Sequence, residues 1–337
     1  MKVALTYNLR PVTATGLALQ DDTYAEWDEP DTIAAVQAAL AMAHEVVLIE
    51  DNGELTARLR ASAPDIVFNL AEGLSGPDRE ARLPALLERW HIPFTGSSSH
   101  TLRTCLDKAA AKRVLQQHGL PTPAHAVVYH PATFPALPGF PLIVKPLHEG
   151  SSKGIAGASV VHTPAALQRR VAHVLETYHQ PAIVETFLAG REFTAALVGN
   201  GPEITVLPLV EISFTALPPG AVPLYSYEAK WLWDTPAQPR DILHCPADIP
   251  PDLAHTIADL CCRAYVALEC RDWCRIDVRL DASGQPHILE LNPLPGIVPD
   301  PASHSCFPTA AAAAQISYPE LIRRVLSHAG RRYGLSI

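Results

Sequence analysis

The sequence lacks three things: a long apolar segment, closely paired cysteines and an excess of positive charge. Its longest apolar runs are interrupted by Pro, Asp or Arg well before the ~18 residues that a membrane-spanning helix requires. Its seven cysteines form no C-x-x-C pair, and their odd number favours reduced thiols over a disulfide framework. Lys and Arg total 26 against 35 acidic residues, a net charge of −9, which argues against a surface that binds nucleic acid or an anionic membrane. Small molecules are therefore the expected partners.

The composition that remains is typical of a folded protein with more than one domain. The chain has 337 residues, of which 48% are hydrophobic and 18% charged, and this length allows two or three domains at ~100 to 200 residues each. The 32 prolines are spread along the chain and indicate many loops rather than a polyproline segment. The first residues enter a strand-like run without the apolar core of a secretory signal, so we expect a cytoplasmic protein.

The first 96 residues alternate between strand and helix patterns, which predicts an open parallel α/β domain. Short runs rich in β-branched residues predict buried parallel strands at residues 3–7, 46–50 and 65–69. Residues 31–44 carry apolar side chains at helical spacing and predict the helix between the first two strands. A second helix over 79–90 and a short strand over 92–95 lead to a Gly-Ser-Ser-Ser segment, where we expect the domain to end.

The rest of the chain predicts two further subdomains, 97–184 and 185–337. Apolar spacing and Gly or Pro stops predict helices over residues 106–118, 165–178, 253–268 and 318–328. Strands are expected over residues 126–129, 142–146, 158–161, 192–198, 204–209, 275–280 and 287–291. The expected architecture is therefore α/β (α+β) in three subdomains.

Residues 150–154, Gly-Ser-Ser-Lys-Gly, have the features of a phosphate-binding turn. Their side chains are mostly small, so successive backbone N–H groups can point at one anion. The segment lacks the GxxxxGK[ST] pattern of a P-loop, and an ordinary hairpin turn is the alternative. Lys145 ends the preceding strand and would place an ammonium group beside these amides; a solvated lysine at a strand end is the alternative there.

Two strand-like runs near the C-terminus bring acidic and amide oxygens together. The two-residue period of a strand puts Arg275 and Asp277 on one face, and it puts Glu290 and Asn292 on one face of the next strand. Hard oxygen ligands without cysteine or histidine suit Mg²⁺, which binds through one or two carboxylates and substrate phosphates. The alternative is a hairpin with a surface ion pair, such as Arg275 with Glu290.

Five motifs follow one another in a familiar order along nearly the whole chain. They are Lys145-Pro with Glu149-Gly-Ser-Ser, Glu185 to Glu192, Tyr227-Glu-Ala-Lys230, Arg275-Ile-Asp277 and Glu290-Leu-Asn292-Pro. In this order they resemble the D-alanine–D-alanine ligase family of the ATP-grasp superfamily. The resemblance implies an ATP-grasp fold, with an N-terminal open α/β domain over 1–96, a central subdomain with a lid loop over 97–184 and a C-terminal subdomain over 185–337.

The resemblance also implies a nucleotide site between the second and third subdomains. ATP would lie there with two Mg²⁺ ions that bridge its phosphates, and Mn²⁺ could substitute for them. The ATP-binding residues implied by position are the phosphate-side lysines Lys108, Lys145 and Lys230, the lid residues Glu149, Gly150, Ser151 and Ser152, the adenine-side residues Glu185, Phe187 and Leu188, and Glu192 at the ribose. The implied metal ligands are Asp277, Glu290 and Asn292.

Further residues acquire catalytic or substrate-binding roles from the same resemblance. Arg275 and the backbone of Gly296 would hold the oxyanion of the tetrahedral intermediate, and Ser305 would meet the substrate carboxylate. Lys230 and the lid residue Ser151 complete the implied catalytic set. Phosphoryl transfer to a carboxylate is mostly positioning and charge neutralisation, and the lysines, the arginine and Mg²⁺ would supply both.

The sequence departs from the family around the first substrate. The family's N-terminal signature, whose glutamate receives the amine of the first amino acid, is absent, and Glu26 is our predicted replacement; a carboxylate in the first turn of a helix is the alternative. The family's Ala-Leu-His-Gly becomes Leu-Ala-Glu72-Gly, followed by Arg79. Trp231 replaces a tyrosine that bonds the lid serine in the D-alanine-adding ligases, so we expect that hydroxyl link to be missing.

These features together predict an ATP-dependent carboxylate–amine ligase that forms an amide through an acyl phosphate. Glu72 and Arg79 predict a first substrate other than D-alanine, unless the two side chains pair with each other on the surface. A kinase of the same fold that releases a stable phosphorylated product, or a nucleotide-binding homologue without turnover, are the other two hypotheses. The expected partners are an amino acid or related carboxylate and an amine; nucleic acid and membrane are not expected, and a homodimer is left open.

Overall fold

The computed structural model describes residues 1–11, 22–133, 136–234, 240–300 and 305–336. Within these ranges, the helices are all too short or too polar to span a membrane. The strands form three sheets that follow one another along the chain.

The first sheet is parallel and has the predicted order of elements. Its strands are β1 (Lys2–Tyr7), β2 (Glu45–Glu50) and β3 (Ile66–Asn69), in the order β2-β1-β3. Its helices are α1 (Pro30–Ala41), α2 (Leu55–Ser62) and α3 (Arg82–Trp90). The prediction of three parallel strands is confirmed, and β1 and β3 are buried as expected, but Ile49 is the one buried residue of β2. Helix α2 was not predicted. The strand expected over 92–95 is wrong, because Phe94 forms only an isolated bridge to Val67.

The central sheet is antiparallel and has the order β4-β7-β5-β6. Its strands are β4 (His125–Val128), β5 (Leu142–Pro146), β6 (Val160–Val161) and β7 (Ala182–Thr186). Its helices are α4 (Ser99–Leu106), α5 (Lys108–Gln117) and α6 (Pro164–Tyr178). The helix predicted over 106–118 begins two residues later than expected, because Asp107 separates α4 from α5. The Asp107 side chain caps α5 by accepting a hydrogen bond from the Ala110 N–H at 2.9 Å.

Strand β7 pairs with β4 and β5, so it belongs to the central sheet. The predicted boundary at residue 184 therefore falls inside this strand and should be moved beyond Thr186.

The third sheet is antiparallel and carries the predicted polar strands. Its strands are β8 (Glu192–Val198), β9 (Thr205–Val206), β10 (Val210–Ile212), β11 (Leu243–His244), β12 (Trp273–Leu280) and β13 (Pro286–Asn292). Its helices are α7 (Pro251–Ala267), α8 (Cys306–Ala313) and α9 (Tyr318–Arg332). The strand predicted over 204–209 is shorter than expected, and α8 was not predicted.

The first and third sheets share one hydrophobic core. The Trp273 side chain on β12 is fully buried, with its ring edge-to-face against Phe68 of β3 at 5.7 Å and Phe307 of α8 at 5.8 Å between centroids. Helix α9 packs along α1 and closes the same core. The three sheets together surround a cavity of about 360 Å³, which holds the predicted site residues.

Candidate active site

The polar strands β12 and β13 meet as predicted. They pair antiparallel, with Arg275 opposite Asn292 and Asp277 opposite Glu290, and all four side chains line the cavity. Arg275 donates to both oxygens of Asp277 at 3.1 Å, and the Asn292 amide nitrogen donates to Asp277 Oδ2 at 3.1 Å. The side-chain oxygens of Asp277, Glu290 and Asn292 therefore face one space, and their chemistry fits Mg²⁺.

The alternative surface pair between Arg275 and Glu290 is wrong. Glu290 instead lies 3.0 Å from the Nζ of Lys108, which begins α5. Burial acts to raise the pKa of Glu290, but Lys108, Lys145 and Arg275 outweigh it and lower the pKa to about 2. The carboxylate is therefore ionised at neutral pH and able to bind a cation.

Lys145 and Glu185 form a buried ion pair on neighbouring strands. The Lys145 Nζ lies 2.8 Å from Glu185 Oε2, and the Nζ of the fully buried Lys112 lies 3.0 Å from Glu185 Oε1. Burial would raise the pKa of Glu185, but the two ammonium groups lower it to about 2. Sequence reasoning missed Lys112, although its position one helical turn after Lys108 on α5 was a signal that both could face the cavity side.

We expect Lys145→Ala to weaken ATP binding about tenfold to a hundredfold, since a charge-assisted hydrogen bond is worth ~1.5–3 kcal/mol. Calorimetric titration with a non-hydrolysable ATP analogue and Mg²⁺ measures the effect. Lys2→Ala, at the start of β1 and outside the cavity lining, is the matched control. Unchanged affinity of the Lys145 variant would remove this lysine from the phosphate site.

The expected adenine end of the cavity is apolar. Ile143, Phe187 and Leu224 line it, and Leu188 is buried beside them. Glu192 lines the cavity as predicted, but one of its oxygens accepts a hydrogen bond from Arg279 Nη1 at 2.8 Å. Sequence reasoning missed this arginine, because Glu192 and Arg279 are 87 residues apart.

The loop over residues 148–154 connects β5 to β6 and lies against several neighbours. Ser151 and Ser152 have φ of 50° and 60°, a left-handed conformation that non-glycine residues rarely adopt. The Gly150 N–H donates to Glu26 Oε1 at 2.8 Å, and the Ser152 hydroxyl donates to the Tyr225 carbonyl at 2.9 Å. The indole N–H of Trp231 donates to the Ser151 carbonyl at 3.2 Å. These contacts close the loop over the cavity.

Glu26 reaches the cavity, but its carboxylate is already bound by other side chains of the protein. Its Oε1 lies 2.6 Å from Nη2 of Arg79 and its Oε2 lies 3.6 Å from Lys153 Nζ. The alternative of a carboxylate in the first helical turn is wrong, because α1 begins only at Pro30. Arg79 is 3% exposed and pairs with Glu26 rather than Glu72, so the alternative of a Glu72–Arg79 surface pair is also wrong.

Glu72 lines the cavity without a basic partner among the described residues. Burial, followed by the neighbouring carboxylates of Glu26, Glu80 and Asp28, raises its pKa well above the usual range. Acidic side chains therefore crowd this side of the cavity, and the raised pKa favours the protonated form of Glu72.

The opposite side carries Arg275, Gly296, Ser305 and Lys230, all of which line the cavity. The Ser305 hydroxyl donates to the Gly296 carbonyl at 3.0 Å, which holds these two residues together. Burial and the Arg275 charge lower the pKa of Lys230 to about 8. A lysine of this kind retains a positive charge at neutral pH and gains from an anionic ligand.

A family model described as the D-ala D-ala ligase C-terminus matches residues 114–327 of this chain. The chain belongs to the D-alanine–D-alanine ligase family. A D-alanine–D-alanine ligase of Bordetella petrii is 39% identical over 301 residues, covering 87% of this chain and 85% of that protein. An uncharacterised protein, y4sG, of Sinorhizobium fredii is also 39% identical, over 316 residues that cover 91% of this chain and 90% of the relative.

The fold agrees with the family assignment. The crystal structure of the Bacillus anthracis D-alanine–D-alanine ligase with ATP superposes with a TM-score of 0.74 at 22% identity and covers 99% of both chains. At this identity the likeness bears on the fold alone, and it confirms the predicted α/β ATP-grasp architecture.

Trp231 differs from the tyrosine that resemblance to the D-alanine-adding ligases leads one to expect. The hydroxyl link to the lid serine is missing, as predicted, but the indole N–H replaces it with a bond to the Ser151 backbone. The same ring makes cation–π contacts with the guanidinium of Arg10, 5.3 Å from its centroid, and with the ammonium of Lys230, 5.1 Å from its centroid. One side chain thus contacts a residue from each of the three subdomains.

We expect trypsin to cleave after Lys153 more slowly when Mg²⁺ and a non-hydrolysable ATP analogue are bound, because the lid amides gain phosphate partners. Lys153 is 6% exposed, so cleavage requires the lid to open. Trp231→Phe removes the indole donor and should restore much of the cleavage in the nucleotide-bound state. Trp90→Phe, beside Arg60 and away from the cavity, is the control. Equal protection with and without nucleotide would contradict a mobile lid.

Proposed function

We propose that this chain is an ATP- and Mg²⁺-dependent carboxylate–amine ligase whose first substrate is not D-alanine. The observation that carries this proposal is the convergence of Lys108, Lys145, Lys230 and Arg275 with the oxygen ligands of β12 and β13 in one cavity. The positive groups suit ATP phosphates and the oxygen ligands suit the magnesium ions that accompany them. Membership of the family supports the same chemistry.

The proposed reaction has two steps. A substrate carboxylate oxygen attacks the γ-phosphorus of ATP, the bond to the bridging oxygen breaks, and ADP leaves with that electron pair. The amine of a second substrate then attacks the acyl carbon, loses a proton and expels inorganic phosphate, which leaves an amide. Arg275 and the Gly296 backbone would stabilise the tetrahedral oxyanion of the second step.

A kinase that stops at a phosphorylated product is the competing activity, and a binding module without turnover is another. Phosphate release separates them. A ligase releases ADP and inorganic phosphate in equal amounts only when an amine is present, whereas a kinase releases ADP without phosphate. A panel of D- and L-amino acids, each tested alone and in pairs, covers the unknown substrates. Absence of ADP release across the panel would contradict the ligase.

D-Alanine alone should be a poor substrate. Glu72 stands where the family resemblance places a histidine, and it lines the cavity. A pocket lined with polar side chains discriminates by polarity before size, and the methyl side chain of D-alanine offers it no polar partner. Steady-state ADP release with D-alanine as the sole amino acid measures the effect. A kcat/KM of ~10⁴ M⁻¹s⁻¹ or above, the ordinary range for enzymes, would contradict the prediction and indicate that D-alanine is the first substrate.

A further inference from the structure

A second arginine follows Arg275 and Asp277 along β12. Arg279 lies two residues after Asp277, so the two-residue period of the strand puts all three side chains on one face, and all three line the cavity. Arg279 also lies directly opposite Glu192 of β8 in the antiparallel pairing of the two strands. The proposed function gives Arg275 and Asp277 a part in the reaction and leaves Arg279 without one.

The guanidinium group of Arg279 is buried and held by several neighbours. Its side chain is 3% exposed. Nη1 donates to Glu192 Oε2 at 2.8 Å, and Nη2 donates to the Pro223 carbonyl at 2.6 Å. The group also makes cation–π contacts with Phe187 and Phe214, at 4.8 Å and 5.0 Å from the ring centroids. These four contacts leave the guanidinium little freedom to move.

Stability alone explains a buried ion pair of this kind poorly. Taking both charges out of water costs free energy that their mutual attraction often only just returns. The Nε of Arg279 is buried as well, and it donates to no acceptor among the residues that the structure describes, which adds to the cost. The effect of Arg279 on Glu192 offers a better explanation.

Glu192 has one carboxylate oxygen held and the other open. Arg279 holds Oε2, whereas Oε1 accepts no hydrogen bond from any residue in the described part of the chain. The residue is 6% exposed and lines the cavity, so a bound molecule can reach the open oxygen. Because Arg279 fixes the rotation of the carboxylate, Oε1 keeps one orientation before any ligand binds.

We propose that Arg279 is a positioning residue for nucleotide recognition: it holds Glu192 so that Oε1 accepts a hydrogen bond from a ribose hydroxyl, and the protein thereby prefers nucleotides with both ribose hydroxyls. The inference rests on the proposed function, since the family resemblance places Glu192 at the ribose of ATP. Hydrogen bonds to a carboxylate are roughly twice as strong as neutral ones. A nucleotide that lacks the hydroxyl loses this bond and leaves Oε1 unpaired.

The test compares the binding of ADP, 2′-deoxyADP and 3′-deoxyADP in the presence of Mg²⁺ by calorimetric titration, which requires no turnover. We expect the wild-type protein to bind ADP about tenfold or more tightly than at least one deoxy analogue. Arg279→Met fills much of the space without the charge and should remove most of this preference. Arg331→Met breaks an exposed arginine–glutamate pair and should leave the preference unchanged.

A double-mutant cycle separates positioning from a merely structural role. Glu192→Gln should lower the preference by itself, and adding Arg279→Met should lower it no further, because Arg279 acts through Glu192. A structural role would instead weaken the binding of all three nucleotides by the same factor and leave their ratio unchanged. That result, or a wild-type protein that binds all three equally, would overturn the inference.

Arg279→Lys provides the comparison if Arg279→Met does not fold. Lysine keeps the charge but lacks the planar fork that joins Glu192 to the Pro223 carbonyl, so it should keep only part of the preference. A full preference in a lysine variant would overturn the inference when the methionine variant cannot be measured.

These measurements also distinguish the inference from the proposed function. If no amino acid in the substrate panel causes ADP release but the variants change the preference as expected, the ligase proposal fails and the inference stands. If ADP is released but the preference does not depend on Arg279, the inference alone fails. A wild-type protein that binds none of the three nucleotides would overturn both.

Discussion

Glu290→Gln should lower kcat by about 100-fold or more while ATP affinity changes much less. The substitution keeps the shape of the side chain but removes one anionic metal ligand and the partner of Lys108. A metal stabilises charge that develops during phosphoryl transfer by several kcal/mol, and each ~1.4 kcal/mol is tenfold in rate. The ground-state complex has less to lose, because Asp277 and Asn292 remain in place.

ADP release at saturating ATP gives kcat, and titration with a non-hydrolysable analogue gives the affinity. The most active amino acid from the substrate panel is used throughout. Glu203→Gln is the matched control, since this glutamate is exposed and pairs with Arg331 on the surface. Turnover near the wild-type rate, measured at the lowest Mg²⁺ concentration that saturates the wild-type protein, would exclude Glu290 from the metal site. Higher Mg²⁺ should restore part of the lost rate if the defect lies in metal binding.

Arg79→Met should destabilise the protein by about 3–5 kcal/mol, the cost of breaking a buried ion pair by removing one partner. Arg79 is 3% exposed and donates to Glu26 Oε1 at 2.6 Å and to the His148 carbonyl at 2.5 Å. Its loss leaves Lys153 as the remaining ion-pair partner of Glu26 and Glu149 among the described residues, and it removes the partner of Glu80 at 3.9 Å. Methionine fills much of the space, so the effect reports charge rather than a cavity.

The pH dependence of this deficit identifies its cause. Carboxylates that lose a cation have raised pKa values in the folded state, so they destabilise it as pH rises and cost less when protonated. The deficit in urea denaturation should therefore be smaller at pH 6 than at pH 8. Arg103→Met breaks an exposed pair with Asp78 and should cost less than about 1 kcal/mol at either pH. A deficit for Arg79→Met as small as this would show that the carboxylates find other partners.

Local patterns predicted the parts of the site that lie on regular strands. The two-residue period of β12 and β13 placed Arg275 and Asp277 on one face, and Asp277 pairs with Glu290 across the two strands. Positions of this kind depend on backbone geometry alone, which the sequence pattern reports directly.

Pairs of distant charges could not be predicted in the same way. Glu26 and Arg79 are 53 residues apart, and Glu192 and Arg279 are 87 apart. Nothing local to either residue indicates its partner, because tertiary packing decides which charges share a buried space. The same reasoning explains why the sequence could indicate Glu72 as a cavity residue but could not indicate that Arg79 pairs with Glu26.

The sequence patterns did not predict helices α2 and α8, because the apolar pattern of each is short. Helix α2 buries only two side chains, Leu55 and Leu59, and half of the residues of helix α8 are alanine. The break at Asp107 was missed for a different reason, since an aspartate can continue a helix or cap the next one, and the observed cap contact decides between them.

The core that Trp273 shares with Phe68 and Phe307 makes the two ends of the chain mutually dependent during folding. Helix α9 turns its apolar face to α1, and residues 114–327, the span that the family model matches, include most of α9 but none of its N-terminal partner. Expressed alone, that span would expose this face to water and so be prone to association. During synthesis, α1 also lacks its packing partner until α9 has been made. We therefore expect the first subdomain to remain incompletely packed until that point.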